Sequence, residues 1–110
     1  MLFRSFNKTE VEAQFPGGDA AWIDYLKKNI NPNTPVNNGI RRSGTYRIIV
    51  RFIVWNDGTI RDVVAETKYG FGMEQEATRI IRNGPNWIPA YQNGRKVNAY
   101  RRQPVIFVVN

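Results

Sequence analysis

Residues 45–67, TYRIIVRFIVWNDGTIRDVVAET, contain the pattern that decides the fold class. Every even-numbered position from 46 to 54 is apolar and the odd-numbered positions are mixed, which is typical of a strand with one buried face. The triplet NDG at 56–58 predicts a hairpin turn, because Asp-Gly tolerates left-handed backbone. The return strand is expected at about 59–67, with one bulge to reconcile the parity of its apolar residues.

Two amphipathic helices and a third strand are predicted around this hairpin. Residues 15–19, FPGGD, form a turn whose aspartate is expected to cap a helix over 19–30. That helix is predicted from an apolar stripe at helical spacing, formed by Trp22, Ile23, Leu26 and Ile30. A second apolar stripe at helical spacing predicts a helix over 73–83. The last strand is expected at about 96–109. It contains Pro104, and a proline inside a strand indicates a sheet edge or a bulge.

The order helix, strand, strand, helix, strand predicts an α+β fold, with two helices packed on a small, three-stranded antiparallel sheet. Residues 9–14 alternate between apolar and polar, so a short N-terminal strand is an additional option. A chain of 110 residues makes one domain. We assign residues 1–9 to a tail or linker remnant and residues 10–110 to the domain.

Several function classes are excluded by residue types that the sequence lacks. There is no cysteine and no histidine, which removes thiolate nucleophiles, imidazole bases and the common zinc sites. The carboxylates are scattered, and YGFGME at 69–74 lacks the Lys-Ser/Thr that completes a phosphate-binding loop. We therefore expect no enzymatic activity, no metal and no cofactor. No signal peptide is visible, which fits either a cytosolic protein or a piece of a longer chain.

The net charge of +7 favours encounters with anionic partners. A basic and aromatic sheet face that binds nucleic acid or another anionic polymer is therefore an alternative function. The strand motif of RNA-binding sheets, a basic residue followed by alternating glycines and aromatics, is missing, so nucleic acid is not the expected partner. The residues that would form such a face are Arg47, Arg51, Trp55, Tyr100, Arg101 and Arg102.

The stretch GPNWIPA at 84–90 places Trp87 between two prolines, where neither a helix nor a central strand can continue. Because tryptophan is usually mostly buried, we expect Trp87 to pack in the core where the second helix leads to the last strand.

The last strand is basic and is expected at an edge, where its unpaired N–H and C=O groups are exposed. Lys96, Arg101 and Arg102 would protect that edge from aggregation. The same edge could bind an extended peptide by strand addition, with a preference for acidic neighbours. It could also pair with itself, so an edge-strand homodimer is a third option. On this interpretation, proline in place of Ala99 or Arg101 should remove a donor from the ladder.

The chain resembles the C-terminal domain of TonB-type energy transducers, in a variant common among Bacteroidetes. The most specific features are FPGG, DG.I.DV, P.W.PA..NG..V and the terminal P..F. The similar segments are residues 12–29, 37–40, 52–63, 70–81 and 84–107.

The resemblance implies a function in transport. Such domains are periplasmic and belong to proteins anchored in the inner membrane, where a proton-driven complex of the ExbB/ExbD type acts on the anchor. They bind the TonB box, a short N-terminal segment of an outer-membrane receptor, by adding it to the edge of their last strand. The transmitted force allows import of siderophores, vitamins or glycans. The anchor would lie upstream of residue 1. Members also occur as sensing appendages of other membrane proteins, which is a further alternative.

The resemblance also assigns roles to individual residues. Asn31-Pro32 stands where many members have Tyr-Pro, so we assign no binding role to Asn31. The residues expected to bind the partner are Val97, Asn98, Ala99, Tyr100, Arg101, Arg102, Gln103, Val105 and Phe107. The residues expected to form structural motifs are Phe15, Pro16, Gly17, Gly18, Asp57, Gly58, Trp87, Pro89, Gly94 and Pro104.

Overall fold

The computed structural model describes residues 11–110, so the predicted tail at 1–9 lies outside the described residues. The chain forms three helices and five strands within that range. In chain order they are α1 (Asp19–Asn29), α2 (Thr34–Asn37), β1 (Gly44–Val54), β2 (Ile60–Ala65), α3 (Met73–Arg82), β3 (Ala90–Gln92), β4 (Arg95–Val97) and β5 (Ala99–Val109).

The main sheet has three antiparallel strands in the order β2-β1-β5. β1 and β5 pair without interruption from Gly44 opposite Val109 to Val54 opposite Ala99. The inward side chains of both strands are buried with those of α1 and α3 in one core. The predicted α+β fold, with two helices on a three-stranded antiparallel sheet, is confirmed.

The return strand contains the predicted bulge. Arg51 lies opposite Val64 and Ile53 opposite Arg61, so a single β1 residue faces two residues of β2. Asp62, inside the bulge, has a φ of 54°. Aspartate is one of the few residues other than glycine that adopt this left-handed conformation at modest cost. The bulge restores the apolar residues of β2 to the core side.

Local structure departs from the sequence-based predictions at three places. Asp19 is the first residue of α1 and its side chain makes no capping bond, so its predicted role as a cap is wrong. The connector before β1 contains the short helix α2. The predicted last strand at 96–109 is divided at Asn98, and β3 and β4 form a separate hairpin. Asn93 and Gly94 supply the two positive φ angles, 54° and 76°, that a two-residue hairpin turn requires.

The N-terminal strand considered at 9–14 lies partly outside the described residues. Within them, Val11 and Gln14 form isolated bridges with Tyr91 and Ile88. Residues 11–14 are therefore extended and are held by residues 88–91, at the start of β3.

Trp87 is buried in the core, as predicted, and is only 4% exposed. It lies in a cluster of aromatic rings. Its ring is 4.9 Å from that of Trp22, 5.5 Å from that of Phe52 and 5.7 Å from that of Phe15, measured between centroids. Such edge-on contacts add to the stabilisation that burial provides. Trp87 thus contacts α1, β1 and the turn that precedes α1.

The hairpin turn after β1 contacts the Trp87 segment directly. Gly58 has a φ of 86°, and a Cβ atom on it would lie 2.4 Å from the carbonyl oxygen of Trp87. The Trp87 N–H donates to the Gly58 carbonyl oxygen at 2.8 Å. In the same turn, hydrogen bonds from Thr59 to the carboxylate lower the pKa of Asp57. Two segments separated by almost thirty residues are therefore fixed against each other.

Candidate partner-binding edge

β5 lies at an edge of the main sheet, and the direction of its backbone groups follows from one hydrogen bond on the opposite side of β1. The Glu66 N–H donates to the Ile49 carbonyl oxygen at 2.7 Å, so the N–H and C=O of Ile49 point toward β2. Ile49 lies opposite Pro104. In an antiparallel pair, the partner of such a residue also points its backbone groups away from the shared ladder. The backbone groups of Pro104 therefore point to the free edge.

The regular register extends this result along the whole strand. Every second residue of β5 points its backbone groups away from β1, and these residues are Tyr100, Arg102, Pro104, Ile106 and Val108. The edge offers four N–H donors and five C=O acceptors, because proline has no N–H. No described strand pairs with them. The structure thus presents a long row of backbone groups that an extended peptide can bind.

This parity corrects one prediction from the sequence. Ala99 and Arg101 lie opposite Val54 and Phe52, and their N–H groups point toward β1. Proline at either position would remove a hydrogen bond from the sheet itself. The expectation that these two substitutions remove a donor from the free edge is wrong, because it treated all residues of the strand as equivalent.

The predicted partner-binding residues fall into three groups. Val97 belongs to β4, and Asn98 links the two strands and accepts a hydrogen bond from the Asn56 N–H at 2.8 Å. Tyr100 and Arg102 face the free edge with their backbones. Ala99, Arg101, Gln103, Val105 and Phe107 turn their backbones to β1 and their side chains to the helix side of the sheet. Ile106, another last-strand residue expected to pair with the partner, also points to the free edge. Val108 does so too but was not singled out from the sequence, although strand alternation gives the signal that identifies it.

Arg101 has a structural contact that its position on the strand did not reveal. Its guanidinium carbon lies 5.1 Å from the Trp87 ring centroid, and its Nη1 donates to the carbonyl oxygen of Ala13 at 3.3 Å. Trp87 is buried and Ala13 belongs to the N-terminal segment. Arg101 therefore holds that segment against the core.

The opposite face of the sheet carries a small charge network. Arg102 Nε lies 2.9 Å from a carboxylate oxygen of Glu66, and Arg51 Nε lies 4.0 Å from the other oxygen. These groups are substantially exposed, so each pair contributes little to stability. One carboxylate shared by two guanidinium groups leaves this face positive, which favours an acidic neighbour.

A shallow groove of about 270 Å³ runs beside the free edge on the helix side. α1 contributes Ile23, Leu26, Lys27 and Ile30, and β5 contributes Gln103 to Ile106. Ile23 is 43% exposed. Because side chains of a strand alternate between the faces of its sheet, the helix-facing side chains that an added strand places beside Gln103 to Ile106 would enter this groove.

α1, which forms one wall of the groove, is held at its C-terminal end by α3. Arg79 binds the Glu76 carboxylate at 2.8 Å and donates to the Asn29 carbonyl oxygen, while the Asn31 N–H donates to Glu76 at 2.7 Å. The hydrogen bond from Arg79, followed by the one from Asn31, lowers the pKa of Glu76. The carboxylate is therefore ionised at neutral pH and fixes the end of α1.

The structural motif residues are placed as follows. Phe15 and Trp87 lie in the core, Pro16 and Gly17 form the turn before α1, and Gly18 immediately precedes that helix. Pro89 lies just before β3. Across residues 11–110, no group of acidic side chains is placed to bind a metal ion. That same part of the chain has no helix of the length and apolarity that a membrane crossing needs.

A comparison with protein families gives one match. Residues 40–109 match the model described as the Gram-negative bacterial TonB protein C-terminal, which covers more than half of the chain. The match includes β1, β2, α3 and β5 and hence the whole main sheet. No curated protein and no solved structure gave a match.

Proposed function

This chain belongs to the TonB C-terminal family, and from that premise we propose that the free edge of β5 binds the TonB box of an outer-membrane receptor by strand addition. The family is non-enzymatic, transport-related and periplasmic, and it interacts with outer-membrane receptors. The finer assignment rests on one observation, the outward direction of the backbone groups at five alternate positions of a long, regular edge strand.

The surroundings of the edge support this proposal. The described N-terminal segment, residues 11–14, pairs with residues 88–91 and not with β5. The groove beside α1 gives room for the side chains that a bound strand directs toward the helices. On the opposite face of the sheet, the basic side chains favour acidic residues in the bound strand. In the full-length protein, an inner-membrane anchor and a proton-driven complex of the ExbB/ExbD type would supply the force for import of compounds such as siderophores.

The affinity should be modest, because a disordered receptor segment loses conformational entropy when it adds to the edge. We expect dissociation constants in the micromolar range, which corresponds to roughly −8 kcal/mol.

The proposal is tested by titrating isotope-labelled protein with synthetic TonB-box peptides from receptors of the same organism. Amide shifts should be largest along β5, and strongest at the outward-pointing positions. In Ile106→Pro, one edge donor is lost while every hydrogen bond to β1 remains, so binding should weaken about tenfold or more. Ile106→Ala is the matched control for the side chain. Shifts confined to α3, or full binding by a folded Ile106→Pro protein, would refute strand addition.

A nucleic-acid or anionic-polymer ligand is a different outcome of the same titration. That ligand class would be favoured if RNA or DNA binds with a steep salt dependence and the peptides cause no amide shifts.

A further inference from the structure

The free edge has one irregular position, at the middle of β5. Pro104 points toward the edge, so at this point the strand offers a carbonyl acceptor but no N–H donor. A strand added along β5 could accept a hydrogen bond from the backbone N–H of Arg102, and the next available N–H belongs to Ile106. A guest carbonyl that meets the edge between them lacks a backbone partner.

The side chain of Gln103 reaches this position from the helix side of the sheet. Its Nε2 donates to the Pro104 carbonyl oxygen at 2.8 Å, and its Oε1 accepts a hydrogen bond from Trp22 Nε1 at 2.7 Å. An indole N–H can only donate and a backbone carbonyl can only accept. Both contacts therefore require the same orientation of the Gln103 amide, with Oε1 toward Trp22 and Nε2 toward Pro104. Trp22 is 3% exposed and belongs to α1. The core therefore determines which end of the Gln103 amide lies at the edge.

The Gln103 amide nitrogen carries two hydrogens, and the bond to Pro104 uses one of them. We propose that Gln103 binds the partner through its side chain, whose second amide N–H replaces the backbone donor that Pro104 lacks and binds a guest carbonyl there. The inference rests on the proposed strand addition. It identifies the ligand group at this position as a peptide carbonyl, and it explains how an interrupted edge receives a continuous strand.

The decisive experiment is a double-mutant cycle between Gln103 and Pro104, measured as peptide affinity by calorimetry with the TonB-box peptides. Gln103→Glu keeps an acceptor for Trp22 and removes the donor, so it should weaken binding about five- to tenfold. Pro104→Ala restores a backbone N–H at the edge. In the Pro104→Ala background, Gln103→Glu should therefore change the affinity less than about twofold.

A second readout does not depend on substitution. The side-chain amide resonances of Gln103 should shift when peptide is added, while those of Gln75, which is exposed on α3, serve as the control. Gln103→Leu removes both bonds, whereas Gln103→Glu keeps the acceptor for Trp22. The difference between the two variants in thermal unfolding therefore reports the loss of the Trp22 contact.

The outcomes distinguish this inference from the function on which it rests. Absence of binding by the unaltered protein would overturn both. Normal binding by the unaltered protein, with Gln103→Glu equally weakened in both backgrounds or not weakened at all, would overturn only the role of Gln103. Loss of the effect in the Pro104→Ala background, together with a shift of the Gln103 amide, would support it.

Discussion

The two edges of the main sheet differ in ways that correspond to different tasks. β2 forms one edge; it is six residues long and contains the bulge at Asp62. Short and bulged edge strands are poor templates for another strand. β5 forms the other edge; it is eleven residues long and keeps an unbroken register with β1. The β2 edge is closed to strand addition by its bulge. The β5 edge is regular and open to strand addition, and its row of N–H donors is interrupted only at Pro104.

The difference teaches that stability and binding depend on separate parts of this small protein. The hairpin before β2 is fixed against the Trp87 segment by a backbone hydrogen bond and by a close approach at Gly58 that leaves no space for a Cβ atom. Along β5, the groups that hold the strand and the groups that face the partner alternate residue by residue. Substitutions should therefore affect stability, binding or both according to which of these groups they change.

The largest effect is expected at the hairpin that leads into the closed edge. Gly58→Ala adds a Cβ atom 2.4 Å from the Trp87 carbonyl oxygen at a φ of 86°. The clash with backbone and the strained conformation together should lower the free energy of unfolding by about 4 kcal/mol. Chemical denaturation followed by tryptophan fluorescence measures the change.

Gly94→Ala is the matched control for that substitution. Its φ is 76°, but a Cβ atom there would meet nothing within 4 Å. The loss should be only about 1 kcal/mol, which represents the conformational strain alone. Equal losses at the two glycines would show that the contact between the hairpin and Trp87 is unimportant.

The next effect compares neighbouring positions on the open edge. Arg101→Pro removes an N–H that points to β1 and leaves a β1 carbonyl without its partner, so it should cost about 2 kcal/mol of stability more than Arg101→Ala. Arg102→Pro removes an N–H that points to the free edge, and it should cost less than about 1 kcal/mol more than Arg102→Ala. The comparison with alanine at each position removes the side-chain contribution. Equal costs at 101 and 102 would mean that the assigned backbone parity is incorrect.

The smallest effect concerns the support of α1 beside the open edge, and it depends on pH. The pKa of Glu76 is lowered in the folded protein, chiefly by Arg79, so the ionised carboxylate contributes stability above its unfolded pKa. That contribution should be lost as the pH falls from about 4.3, the ordinary pKa of a glutamate, through the lower folded pKa. Glu76→Gln should flatten the stability profile in this window. An unchanged profile would indicate that Arg79 does not hold the carboxylate.

Much of the local structure could be predicted from the sequence because it depends on short-range periodicity. The spacing of Trp22 and Leu26 indicated α1, and the alternation from 46 to 54 indicated β1. The apolar parity after the hairpin required one bulge in the return strand, and the structure places it at Asp62. The prolines around Trp87 excluded regular structure there, and the size of the indole predicted its burial. Similarity to the family came from motifs spread over the chain.

The strand order and the contacts between distant residues could not be predicted in the same way. Alternation tells which side chains share a face, but the direction of each N–H along β5 depends on which strand lies beside it. For that reason Arg101 and Arg102 could not be distinguished from the sequence. In the structure, Arg101 contacts Trp87, and Arg102 faces the exposed side of the sheet. The hairpin of β3 and β4 was missed because the Asn93-Gly94 turn was not used to separate two strands.

The amino-acid sequence by itself determined α1, α3, the hairpin of β1 and β2 and the burial of Trp87, because each follows from neighbours along the chain. It also indicated the family, through motifs spread over the chain. The tertiary structure decided which backbone groups are open to a partner and placed the Gln103 amide between Trp22 and Pro104. Gln103 and Trp22 are 81 positions apart in the chain. Only packing α1 against the edge of the finished sheet brings their polar groups together, because their contact is set by geometry in space and not by spacing in sequence.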